Sequence, residues 1–191
     1  MKKLLLTTSF LTVLLVPLSN AANYVIDTKG AHASINFKIK HLGYSWVTGR
    51  FDRFDGKFNY DAANVNASKI TVNIDTSSVN TNHAARNKHL KSDDFLDVNK
   101  FASAKFVSTK IIDKGNNQLE IKGTLSLHGI SKNIVIDAVK VGEGKDPWGG
   151  YRVGFTGTTT LTLKDFAIKM NLGPASSQVI LTLNIEGVRQ K

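Results

Sequence analysis

The side chains able to do acid–base, nucleophilic or metal chemistry are few, and their spacing suits none of these roles. Histidine occurs at His32, His41, His83, His89 and His128. Only His83 and His89 are close in sequence, and a separation of six puts them on different faces of a helix. A helical metal pair needs a separation of four, and a zinc site needs three or four converging ligands, so no metal site is expected. Cysteine is absent, which removes thiol nucleophiles, Cys-ligated metals and disulfide staples. Neither the G-x-S-x-G elbow nor S-x-x-K occurs, and H-E-x-x-H and the EF-hand loop are missing too. Asp93 and Asp94 read as charges at the start of a second short helical turn capped by Ser92, with Arg86 as a partner for one of them. His89 reads as a structural donor to a loop carbonyl, and Asp146 as the turn residue ahead of Pro147. No catalytic residue is expected.

What remains is apolar surface arranged with a period of two. Ala33, Ile35, Phe37 and Ile39 share one face, against Ser34, Asn36, Lys38 and Lys40 on the other. Phe54, Gly56, Phe58 and Tyr60 repeat the pattern, as do Ile70, Val72 and Ile74. It returns at Leu119, Ile121, Gly123, Leu125 and Leu127, at Val153 to Leu163, and at Val179, Leu181, Leu183 and Ile185. Such alternation marks half-buried strands. Turn signals separate them, and hairpins are predicted at Gly115–Asn117 and His128–Lys132. Gly56, Gly123 and Gly157 lie on the apolar face, where a strand glycine marks a bend or a close backbone approach. Regular bends are what a sheet needs to close on itself. Asn82 to Lys91 breaks the alternation with helix formers, and Phe95 and Leu96 would fold that segment back over the barrel mouth. The fold class is therefore all-β, an antiparallel barrel with a short helical segment near 82–96.

The N-terminus has a different character. Lys2 and Lys3 precede an uncharged, mostly apolar run from Leu4 to Val16; Pro17 and Ser19-Asn20-Ala21 follow. This is the layout of a secretory signal peptide. It predicts removal of residues 1–21, with cleavage after Ala22 as an alternative, leaving residues 22–191 as a single domain. The formal charge is +10, but the lysines and arginines are scattered and often alternate with apolar residues. That is the pattern of a solvated sheet face. With export, it argues against a nucleic-acid partner and leaves weak, transient attraction to a membrane surface open.

Several local strings carry more specific information. His41-Leu-Gly-Tyr-Ser-Trp46 leads into Gly49-Arg-Phe-Asp-Arg-Phe-Asp-Gly56. Arg86-Asn-Lys-His-Leu-Lys-Ser-Asp-Asp-Phe-Leu96 follows, then Phe106-Val-Ser108 and Gly123-Thr-Leu-Ser-Leu-His-Gly129. Asp146-Pro-Trp-Gly-Gly150 and Leu172-Gly-Pro-Ala175 come last. In this order the set closely resembles the YceI family of bacterial periplasmic proteins, over the whole chain after the signal. The resemblance implies a lipocalin-like, eight-stranded antiparallel barrel with an elongated apolar cavity for a polyisoprenoid chain or similar amphiphile. It also implies a periplasmic location and no catalytic residues. Two positions depart from the pattern. Asn87 stands where aspartate is usual, which puts an ion pair there in doubt, and Ala102 stands where proline is frequent.

Alternation assigns the expected lipid-binding side chains to the inward faces: Ile35, Phe37, Ile39, Phe54, Phe58, Phe106, Leu125, Phe155, Leu161 and Leu183. Trp46 and Phe95 are expected near a rim. No cofactor is expected beyond a bound polyprenyl lipid or quinone. Periodicity leaves three alternatives open: a packed structural or stress-related barrel, a lipid-modifying enzyme, and an outer-membrane barrel. The enzyme would need His41 or His89 to face the lumen beside an acid. The outer-membrane barrel would turn its apolar face outward.

Overall fold

The computed structural model describes residues 21–170 and 172–191. Apart from Ala21, the expected signal peptide lies outside the described residues. The alternating segments form eleven strands: β1 (Ala22–Ile26), β2 (Ser34–His41), β3 (Ser45–Phe51), β4 (Phe54–Tyr60), β5 (Lys69–Asp75), β6 (Val79–Asn80), β7 (Ser103–Gly115), β8 (Gln118–Leu127), β9 (Ile130–Lys145), β10 (Tyr151–Thr162) and β11 (Gln178–Arg189). All pairings are antiparallel. Eight strands close a ring in the order β1-β4-β5-β7-β8-β9-β10-β11 and back to β1. This is the expected barrel.

The other three strands extend one side of the same wall. Strand β11 pairs with β1 through Gly187–Arg189 and with β2 through Val179–Asn184. The chain between β1 and β2 leaves the sheet as a loop. β3 continues into β4 and β5 into β6 along neighbouring tracks, joined by the pairing of Phe51 with Val79 and of Phe54 with Ile74.

The turns follow from residues that tolerate positive φ. Asn116 and Asn117 take φ of 52° and 64°, and His128 and Gly129 take 51° and 74°. Both signs are positive, as a two-residue turn between twisted strands demands. The second turn is tighter than the sequence predicts, because β9 already begins at Ile130. His128 is held there by its Nδ1–H, which donates to the Phe166 carbonyl at 2.9 Å.

The helical segment is α1 (Ala84–Lys91), which ends at Ser92, and a short turn follows in which the Ser92 carbonyl accepts from the Phe95 and Asp97 N–H groups at 3.1 and 2.8 Å. The Ser92 hydroxyl and N–H both donate to the His89 carbonyl, at 2.8 and 3.0 Å. Asp93 and Asp94 open that turn, just beyond the C-terminal end of α1, though the Ser92 hydroxyl caps α1 and not the turn. Arg86 pairs with neither of them. Its guanidinium donates to the Thr81 hydroxyl and carbonyl at 2.8 and 2.9 Å. Asn87 supplies its own acceptor, taking the Thr81 N–H and hydroxyl at 2.8 and 2.7 Å. The uncharged residue thus still fastens the helix to β6.

Among the described residues no helix is long and apolar enough to cross a membrane. The barrel turns Phe37, Phe58, Phe106 and Phe155 into its lumen among isoleucines and leucines, the reverse of a membrane-spanning barrel.

One outer-face cluster fastens the β1–β2 loop to the wall. Arg152 on β10 donates to Asp27 at 2.6 Å, to Asp146 at 2.8 Å and to Glu186, while His32 Nδ1 lies 2.9 Å from Asp27. The Asp27 carboxyl is held well below the usual carboxylate range by His32 first and Arg152 second. Asp146 is lowered mainly by Arg152, and Arg152 is raised by the three acids in return. Depressed carboxylates contribute stability in full above their unfolded values, near pH 4, and lose it as the pH falls further. Arg152→Gln would leave three facing carboxylates without their shared guanidinium. Its melting temperature is expected to fall most at neutral pH, with the gap from wild type narrowing as the pH drops below about 4. A gap independent of pH in thermal unfolding would refute the clamp.

Candidate functional site

The inward faces of the strands enclose an apolar lumen in two connected chambers. The wider holds about 390 Å³ and the narrower about 130 Å³. Ile35, Ile74, Leu125 and Leu181 line both, so the chambers are sections of one channel. The narrow section ends against an aromatic floor. Tyr24 stacks on Phe58 with centroids 5.1 Å apart, and Phe155 meets Phe58 and Tyr60 edge-on at 5.9 and 5.5 Å. The wide section reaches the surface between the β2–β3 turn, α1 and the segment after β10, where Leu42 and Leu172 border it.

The channel is open because three phenylalanine rings lie over glycines. A methyl group added to Gly49 would overlap the Phe37 ring; at Gly123 it would overlap Phe106, and at Gly187 Phe58. Without a Cβ at these positions, each ring can lie along the wall. Of the glycines that the sequence marks as bends, Gly123 thus also provides space. Gly123→Ala should destabilise the protein by about 1–3 kcal/mol, the usual cost of overpacking. Denaturant unfolding checks this, and an unchanged midpoint would mean that the ring has room to turn aside.

The expected binding residues divide as follows. Ile35 and Leu125 line both sections. Phe37, Ile39, Phe95 and Leu161 line the wide one, and Phe58, Phe106, Phe155 and Leu183 the narrow one. Two do not line the channel. Phe54 is packed within the wall against the clusters around Ile74 and Tyr24. Trp46 stands beside the mouth with its ring on the outer face of β3, under the ammonium groups of Lys38 and Lys40 at 4.9 and 5.8 Å.

Other lining residues escape sequence reasoning. Val47 and Phe51 of β3 line the wide section, but Gly49 between them hides their alternation. Ile134 and Ile136 line the narrow one, masked by Val135, which is exposed on the outer face. Three residues of the polar rim lie in strings quoted above, but nothing in those strings shows that they converge. The rim is made of Lys40, His41, Arg86 and His89, brought to the mouth by separate elements.

The rim is fastened by backbone geometry. The Leu42 N–H donates to Ser176 Oγ at 3.2 Å, and that hydroxyl donates to the Lys40 carbonyl at 2.7 Å. The Met170 N–H reaches the Asp94 carbonyl at 3.3 Å. His89 does not seek a loop carbonyl. Its Nε2 is 2.8 Å from Asp94 Oδ2, and its ring meets Phe95 edge-on at 5.0 Å. The carbonyl-bonded histidine is His128 instead.

Inside the narrow section, Ser68 Oγ is buried with no partner among the described residues. An unsatisfied buried hydroxyl costs free energy. Ser68→Ala is therefore expected to stabilise the unliganded protein by about 1 kcal/mol. Loss of stability on thermal unfolding would show that the hydroxyl has a partner in solution.

A family model described as the YceI-like domain matches residues 24–187. A UPF0312 protein of Shewanella denitrificans is 61% identical over 191 residues, covering 100% of both chains. The solved YCEI protein of Campylobacter jejuni shares 32% identity with a TM-score of 0.72, over 81% of this chain and 91% of that one. A polyisoprenoid binding domain from Saccharophagus degradans has the same fold at 16% identity and a TM-score of 0.63, over 90% of this chain and 100% of its own.

Proposed function

This chain belongs to the YceI-like family, and from that premise we propose that it is a non-catalytic binding protein for a polyisoprenoid chain or similar amphiphilic lipid, an isoprenoid quinone included. The apolar tail occupies the lumen and the polar head stays at the mouth. The protein works as the single domain 22–191, exported to the periplasm by residues 1–21, which are then removed. The observation that carries this reading is the apolar lumen, two adjoining chambers that share Ile35, Ile74, Leu125 and Leu181. A void of this kind gives water no partners and stays dry. The wide section alone matches the usual size of small-molecule sites. Burying one CH₂ contributes about 0.8 kcal/mol, so each five-carbon unit contributes roughly 3 kcal/mol before ordering costs. The shared fold with a polyisoprenoid binding domain supports the choice of ligand class. The rim of Lys40, His41, Arg86 and His89 supports a head group that accepts hydrogen bonds or carries negative charge.

One observation favours a lipid hydrolase instead, namely His89 against Asp94 at the mouth. Both side chains are about half exposed. Among the described residues no hydroxyl is hydrogen-bonded to the other ring nitrogen, so the pair lacks the activated nucleophile that such chemistry uses. The pair is better suited to orienting the rim.

Native mass spectrometry of protein purified without detergent, followed by solvent extraction, tests the proposal. A discrete added mass that matches a polyprenyl compound in the extract is expected. An unmodified mass that stays unchanged after polyprenyl lipids are offered would overturn it. Conversion of the offered lipid, lost in His89→Ala, would favour the hydrolase.

A further inference from the structure

A ligand of this kind is almost insoluble in water, so the mouth must meet the membrane that holds it. We infer that the β2–β3 hairpin tip, with the adjoining segment after β10, is a docking surface for an anionic phospholipid bilayer. This inference rests on the lipid-binding reading above. Four large apolar side chains project around the mouth. Tyr44 is 86% exposed, Leu42 52%, Trp46 47% and Leu172 36%. They belong to two segments held together at the turn. The Leu42 N–H is bonded to Ser176, and Ala175 is the nearest neighbour to the open side of Gly43. Leu42 and Leu172 also line the wide chamber, so the exposed surface runs directly into the lumen.

Isolated exposed apolar residues need no explanation, but a group of them at the entrance to an apolar channel does. Tyrosine and tryptophan are the side chains that favour the headgroup layer, with an apolar body and a polar tip.

The charge fits the same partner. From Ser34 to Phe51 the sequence holds Lys38, Lys40, Arg50 and His41, and no Asp or Glu. The segment after β10, residues 163–177, adds Lys164 and Lys169 against one acid, Asp165. Lys38 and Lys40 flank the Trp46 ring, so cationic groups sit beside the apolar tip where headgroup phosphates would lie. The acids Asp93 and Asp94 stand on the α1 side of the mouth, and Asp94 is engaged by His89. Seated on a bilayer in this way, the protein would open its channel directly into the acyl layer, and a tail could slide between the two without crossing water.

The protein contains two tryptophans, and their positions give the experiment its own control. Trp148 is 77% exposed in the turn before β10, at the opposite end of that strand from the mouth. The twelve residues of β10 separate the two ends by roughly 35 Å. Trp148→Phe leaves Trp46 as the sole reporter, and Trp46→Phe leaves Trp148. Each protein is mixed with vesicles containing phosphatidylglycerol, or with vesicles of phosphatidylcholine alone, both doped with lipid brominated in the acyl chain.

The expected result is quenching of Trp46 but not Trp148, on the anionic vesicles only. It should weaken several-fold in Tyr44→Ser, whose exposed side chain lies outside the core. Vesicle sedimentation of the same proteins gives an independent reading. Equal binding to both vesicle types, quenching of Trp148, or no association at all would each overturn the docking surface. A protein that carries extractable polyprenyl lipid yet ignores vesicles would overturn the docking surface alone. A protein that binds vesicles through Trp46 but never holds lipid would overturn the reading on which it rests.

Discussion

An antiparallel ring of eight strands encloses an interior only just wide enough for its own inward side chains. Any vacancy inside must therefore be built deliberately, and in this protein the device is the contact between an aromatic ring and a missing Cβ. Phe37, Phe106 and Phe58 lie over Gly49, Gly123 and Gly187, so three of the bulkiest inward residues are spread along the wall. Much else in the barrel follows from where that spread succeeds. The wide section lies where Phe37 and Phe51 are held back on β2 and β3. The floor lies where Tyr24, Phe58, Tyr60 and Phe155 meet ring to ring. The same residue type, phenylalanine, lines the channel in one place and ends it in another, according to its neighbours.

The two ends of the barrel differ in kind. At one end, a two-residue turn joins β7 to β8, and aromatic rings stop the channel. At the other, α1, the β2–β3 turn and the segment after β10 are cross-tied by Ser176, Asp94 and Thr81. All the polar side chains of the rim are found there. This polarity lets a closed sheet serve as a receptacle. An amphiphile can enter by only one end, and its head and tail meet environments that match them.

Much of this is legible in the residues themselves, for a definite reason. Where one face of a strand is buried and the other solvated, alternation is written into the sequence, and Ile35, Phe37 and Ile39 or Leu119 to Leu127 can be read directly. Reading fails where that contrast is lost. β9 carries Ile134, Val135 and Ile136 in a row, and β3 places Gly49 between its two inward residues. Phe54 follows the inward pattern yet is spent on packing within the wall, because period two gives a face and not a depth. Trp46 illustrates the converse: its position beside the mouth is readable, but the side of the sheet its ring takes depends on register with Lys38 and Lys40. The rim is least legible of all. Lys40 and His41 come from β2 and Arg86 and His89 from α1, and only tertiary structure brings the two pairs together. The helix was readable as a break in alternation, while its stop at Ser92 depends on two bonds to one carbonyl.

The seam of the ring has a kinetic consequence. Strands β7 to β11 run as a meander, each pairing with the next, and can form from contacts close along the chain. The first strand has that option on one edge, against β4, but not on the other, where Tyr24 pairs with Arg189 at the far end of the chain. Closure therefore waits until almost the entire polypeptide is available. It then carries a loop-closure cost of nearly the longest span the chain offers, and topologies of that kind fold slowly. Until that step, the edges of β1 and β11 stand unpaired, and with no cysteine in the sequence no covalent bond can hold them near each other. The event that completes the barrel is also the one that seals its most adhesive edges.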